Sequence, residues 1–194
     1  MAPPFRTLKE WLHPVVEQRS CLRILFSASC LLYVAGWGSG LTLGKQVPYA
    51  APSAAAGGMF QIFLHNLAAM APAAAGLVTF GVTTIFSLLF QGAVAGAAVG
   101  SASTELSGWA VAFHIVPHGI FEVPALLLWG TAGFSSLGWA YQRMRGHRSG
   151  STLWGAALGL LAIGIVLLFF AAIIESAESV ALAANASFVP RAAK

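Results

Sequence analysis

Ile24–Gly44 reads ILFSASCLLYVAGWGSGLTLG, 21 consecutive residues without a formal charge. As a helix, that length covers roughly 30 Å, the thickness of the hydrocarbon core of a bilayer. Lys45, Pro48 and Pro52 end the run. A segment this long and this apolar reads as a membrane-crossing helix, and the same pattern recurs along the chain. Met59–Gly100 measures roughly 63 Å if fully helical, too long for one crossing, so it is expected to hold two spans with a turn around Pro72–Gly76. The segment 108–140 is also too long for one straight crossing. Its prolines and Gly119 favour a half-helix to about Val116, a broken or re-entrant stretch around Pro117, and a true span from about His118 to Ala140. Leu153–Glu175 is the last, for five crossings in all.

Composition agrees with this all-α, polytopic transmembrane bundle. The chain of 194 residues is 58% hydrophobic and 8% charged, with a mean hydropathy of +0.79, whereas a soluble domain has roughly 25% charged residues. Between Ile24 and Gln142 the formally charged side chains, with His counted as neutral, are Lys45, Glu105 and Glu122. The net charge of +4 gives no nucleic-acid footprint, because the basic residues sit in short flanks of apolar runs instead of forming a stripe. The partners to expect are the lipid bilayer and other membrane proteins or further copies of the chain. Cys21 and Cys30 lie at or within the first apolar run and read as free thiols in packing positions.

Basic flanks orient the bundle. Arg6, Lys9, Arg19 and Arg23 precede the first span, and Arg143, Arg145 and Arg148 separate the last two. The positive-inside bias assigns both regions to the cytoplasm and the C-terminus to the outside of an inner (cytoplasmic) membrane crossed several times. About 23 residues carrying six charges precede the first apolar run, a pattern that predicts no cleavable signal peptide. Phe5, Leu8, Trp11, Leu12, Val15 and Val16 recur at helical spacing and predict a surface helix. The expected organisation is a cytoplasmic amphipathic segment over 1–23, a bundle over 24–176 and a tail over 177–194. The low-complexity Ala51–Gly58 stretch reads as an external loop.

Gly36, Gly40 and Gly44 in the first span, and Gly92, Gly96 and Gly100 in the third, follow the small-xxx-small spacing that lets backbones touch in lipid. The spacing serves an internal seam or a homodimer equally well.

Chemistry concentrates at Pro117-His118-Gly119-Ile120-Phe121-Glu122-Val123-Pro124. His118 and Glu122 stand at i and i+4, on one helical face. An acidic residue at the centre of a membrane helix costs about 2.5–3.5 kcal/mol on insertion scales, so it is normally paired, protonated or turned to a polar cavity. The other intramembrane polar groups are His65, Asn66, Gln91, His114 and Glu175. In the assigned topology His65, His118, Glu122 and Glu175 fall in the outer half of the bundle. Two imidazoles and two carboxylates suit zinc or another divalent ion. The same groups also suit a structural network, a His–Glu pair hydrogen-bonded to Asn66 or Gln91 that fixes helix register without chemistry. His-x-x-x-Glu lacks the His-Glu-x-x-His spacing of the zincin proteases.

The motif Ile115-Val116-Pro117-His118-Gly119-Ile120-Phe121-Glu122-Val123-Pro124-Ala125, followed by Gly130-Thr131-Ala132-Gly133 and Gly138, resembles the signature segment of the stage II sporulation protein M family. Phe63-Leu64-His65-Asn66 is similar to the family's Asn-rich start of the second span, and Ala171-Ala172-Ile173-Ile174-Glu175 to the end of its last span. Phe90-Gln91-Gly92 departs from the pattern, with Gln where the family has Asn. The resemblance covers roughly residues 20–180 and implies a polytopic prokaryotic inner-membrane protein. The family's sporulation member resembles a scaffold for cell-wall-degrading partners during engulfment, while many relatives belong to organisms that make no spores.

Three function classes follow. The first is a non-enzymatic scaffold or accessory subunit of a membrane complex for envelope remodelling or export, in keeping with small soluble regions and no nucleotide-binding loop or nucleophile elbow. The second is an intramembrane metal-dependent hydrolase, with Glu122 or Glu175 as catalytic base and a metal-bound water as nucleophile. The third is a permease-like subunit of an ATPase-driven exporter.

Overall fold

The computed structural model describes residues 19–49, 58–146 and 150–188. Among them the secondary structure is helical throughout: α1 (Arg19–Gly44), α2 (Met59–Ala74), a 3-10 turn (Ala75–Leu77), α3 (Val82–Glu105), α4 (Gly108–Gly133), α5 (Ser135–Met144) and α6 (Gly150–Phe188). Five stretches are long and apolar enough to cross a membrane: Arg19–Gly44, Met59–Leu77, Val82–Glu105, Gly119–Met144 and Leu153–Glu178. The expected surface helix over 5–16 and the loop over 51–57 lie outside the described residues.

Along α1 and α3 the inward positions are mostly small residues, and large apolar side chains point outward. Buried positions on α1 are Leu22, Ser29, Gly36, Gly40 and Gly44, and those on α3 include Ser87, Gly92, Gly96 and Gly100. Ile24, Leu31, Phe86 and Phe90 are exposed. In water such a surface aggregates. In lipid it is the solvent-facing side, and van der Waals contact between small residues replaces the hydrophobic drive.

The seam between α1 and α3 shows this most directly. A methyl group built on Gly36, Gly40 or Gly44 would collide with the backbone of Leu89, Ala93 or Ala97, and one on Gly92, Gly96 or Gly100 with the carbonyls of Tyr33, Trp37 or Leu41. Both glycine stripes face each other within one chain. Large residues take over between α4 and α6, where Trp129 covers Gly164 and its indole N–H donates to the Leu161 carbonyl at 3.1 Å. Met70, Leu88, Leu126, Phe134 and Leu168 complete that core.

Three boundaries differ from the sequence expectation. The turn between the second and third spans occupies residues 75–81, not 72–76, and Pro72 lies inside α2. Reversal is made by Phe80 and Gly81, at φ of 50° and 81°, the left-handed backbone that Gly adopts freely. Hydroxyls staple this turn to its neighbours: Thr84 donates to the Ala73 carbonyl at 2.7 Å, and Ser136 to that of Gly76 at 3.0 Å.

The second difference concerns Pro117. The expected broken or re-entrant stretch is absent, and α4 runs unbroken from Gly108 to Gly133 through both Pro117 and Pro124. Each proline removes one backbone hydrogen bond. A loop in hydrocarbon would expose several unpaired backbone groups, so continuing the helix costs less. Ser107 caps the start by accepting from the Ala110 N–H at 3.3 Å. The interruption comes instead at Phe134, between α4 and α5. The last helix also outruns its expected end, continuing through residues 177–188 of the segment read as a tail.

Candidate functional site

Four helices bring polar side chains to one place. Asn66 on α2 donates its amide N–H to Glu122 Oε1 on α4 at 2.8 Å, and both side chains are half-buried. One rung away, Gln91 on α3 donates from Nε2 to the Ala69 carbonyl on α2 at 2.9 Å. Both bonds run between helices, tying α2 to α4 and to α3. In an apolar surrounding such bonds fix rotation and height, because slipping either helix leaves an amide or a carboxylate without its partner.

Beside these contacts lies a cavity of about 570 Å³. Its polar lining comes from Tyr33 and Trp37 on α1, Asn66, Gln91 and Glu122; the rest is aliphatic, including Met70, Val99, Val123 and Leu126. Val94, Val116 and Ile120 also line it and are 50%, 55% and 62% exposed. The cavity therefore opens sideways, between α3 and α4, on a face that a membrane would cover.

His65 is exposed and does not line the cavity with its neighbour Asn66, since adjacent residues on a helix point about 100° apart. Glu175 is half-buried on α6 and is likewise absent from the lining. The side chains of His114 and His118 lie outside the described residues. Among the described residues no group of three His, Cys, Asp or Glu is arranged to hold a metal ion, so His65, Glu122 and Glu175 do not make one by themselves. Cys21 and Cys30 are free thiols.

Tyr33 and Trp37 escaped the sequence reading. Their signal is the i, i+4 spacing on either side of Gly36, which sets two aromatic side chains on one face of α1 next to the glycine seam. Aromatic residues in an apolar helix are otherwise indistinguishable from packing residues.

A family model described as Stage II sporulation protein M matches residues 22–179. A curated relative, an uncharacterized protein of Methanocaldococcus jannaschii, is 39% identical over 74 residues, covering 38% of this chain and 42% of the relative. The match thus spans less than half of either protein. No solved structure matches the chain.

Proposed function

The chain belongs to the stage II sporulation protein M family, and from that premise we propose that it is a non-enzymatic scaffold or accessory subunit of an inner-membrane complex acting in envelope remodelling or export. The observation that carries this reading is the Asn66–Glu122 hydrogen bond. It engages the motif carboxylate in helix register, the role of a structural element, and Gln91 is engaged in the same way. Chemistry on another molecule needs groups poised for a substrate, whereas a scaffold needs a rigid bundle with large outward-facing surfaces. The internal glycine seam supplies the rigidity. Exposed Phe86, Phe90, Ile24 and Leu158 supply membrane-facing surface for neighbouring helices.

Cross-linking in native membranes followed by purification tests the proposal. The expected result is a reproducible envelope protein or an ATPase-linked membrane subunit recovered at near-equal amounts. Protein that purifies alone and carries stoichiometric zinc together with hydrolytic activity would overturn it in favour of the metal-dependent hydrolase.

A further inference from the structure

We propose that the lateral cavity between α3 and α4 binds an uncharged lipid alcohol, an apolar chain that ends in a hydroxyl head. Its volume of about 570 Å³ falls within the roughly 300–1,000 Å³ of small-molecule sites, which are mostly apolar with a few convergent polar groups. Val94, Val116 and Ile120 line the cavity and stand exposed at its lateral opening, so entry is from the bilayer and the chain of the ligand lies along them.

The head is read from the hydrogen-bonding groups of the wall. Tyr33 and Trp37 line the cavity near the middle of the apolar run Ile24–Gly44, at a depth where lipid offers no hydrogen-bond partner. Neither the Tyr33 hydroxyl nor the Trp37 indole N–H bonds to another described residue. An indole N–H can only donate, so the ligand that satisfies it presents an acceptor. Asn66 and Gln91 spend their N–H groups on Glu122 and on the Ala69 carbonyl. Their own side-chain carbonyls take no hydrogen bond from another described residue and call for a donor. A hydroxyl is both donor and acceptor.

Charge is selected against in both signs. An ionised head in hydrocarbon needs an opposite charge beside it. No Lys or Arg stands among the described lining residues, so an anion finds no counter-ion there. Glu122 is the carboxylate among them, and it is already engaged, by Asn66 and by a further interaction, so a cation has to displace an existing contact. A neutral hydroxyl displaces nothing. This inference concerns a small ligand and does not depend on the scaffold reading, whose test is the identity of a protein partner.

The test uses the full chain in phosphatidylcholine nanodiscs and a long-chain primary alcohol with a photoactivatable group on its chain, compared with the hydrocarbon, the amine and the carboxylate of the same chain. The alcohol is expected to label peptides spanning 94–99 and 116–126 saturably, about tenfold above each comparison probe, the scale that two hydrogen bonds supply. Tyr33→Phe combined with Trp37→Phe keeps two aromatic rings, removes both donors and should bring alcohol labelling down to the level of the hydrocarbon. Gly119→Phe leaves every polar group in place and fills the cavity, because Gly119 lines it and a Cβ there meets nothing within 4 Å; it should abolish saturable labelling. Equal labelling by alcohol and hydrocarbon, preference for the amine or the carboxylate, no saturable labelling at all, as from a cavity that holds water alone, or alcohol labelling undiminished in either variant overturns the proposal. Should Gly119→Phe fail to fold, the Tyr33 and Trp37 double variant decides.

Discussion

Asn66 and Glu122, 56 residues apart in sequence, meet at 2.8 Å and join α2 to α4 through one hydrogen bond. Replacing either by Ala should destabilise the bundle by about 1–2 kcal/mol, the upper range for an interhelical bond in membranes. The double variant should cost less than the sum of the two, with a coupling of about 0.5–1.5 kcal/mol, because the second truncation removes a contact already lost. Glu122→Gln keeps a carbonyl oxygen in place of Oε1 and should be milder than Glu122→Ala. Reversible unfolding in mixed micelles measures all four proteins, and strict additivity would show that the bond carries no stability.

The glycine seam predicts an opposite response at neighbouring positions. Gly40 and Gly96 are closed against the backbones of Ala93 and Trp37, while an added Cβ at Gly38 meets nothing within 4 Å. In an open helix Gly→Ala gains about 0.8–1 kcal/mol of helix propensity. Gly38→Ala should therefore be neutral or stabilising. Gly40→Ala or Gly96→Ala should lose about 1–3 kcal/mol through forced separation of α1 and α3, the usual cost of overpacking. Thermal stability of the purified variants reads the contrast; a Gly40→Ala as stable as Gly38→Ala would deny the seam.

The crossings were legible in the sequence because lipid forces the backbone to satisfy itself, so length and charge suffice to find a helix. Turns were less legible. Pro72 invited a break that the chain makes at Phe80 and Gly81, and a phenylalanine at positive φ carries no sequence signal. Pro117 invited another break that α4 does not make. Within the site, polarity in an apolar run singled out Asn66, Gln91 and Glu122. Spacing says nothing about partners on different helices, so Gln91 reaching the Ala69 carbonyl, and not a side chain, was beyond the sequence. Glycine spacing revealed close approach but not that the two stripes face one another.

Orientation rests on the basic flanks and is open to direct labelling. In a background without Cys21 and Cys30, a cysteine at Ser149 should resist a membrane-impermeant thiol reagent in intact cells and react once the membrane is opened. Under the positive-inside bias, the three arginines at 143, 145 and 148 are expected to keep that segment in the cytoplasm. Labelling of Ser149→Cys from outside would reverse the assigned topology.

His118 separates the structural reading from the metal reading. If the motif serves register, protein purified without added metal should hold zinc well below one ion per chain, and His118→Ala should lower stability by about 1–2 kcal/mol, the scale of one interhelical polar contact. If His65, His118, Glu122 and Glu175 hold an ion, the same substitution should abolish bound metal in a protein that still folds. At least three ligand atoms would then lie about 2.0–2.2 Å from zinc. The structural outcome is expected because Glu122 already accepts a hydrogen bond from Asn66, while His65 is exposed and neither it nor Glu175 joins Glu122 in the cavity wall. Elemental analysis of wild type and His118→Ala, paired with their unfolding curves, decides the matter. One zinc per chain in the wild type, lost in the variant without loss of stability, would establish a metal site.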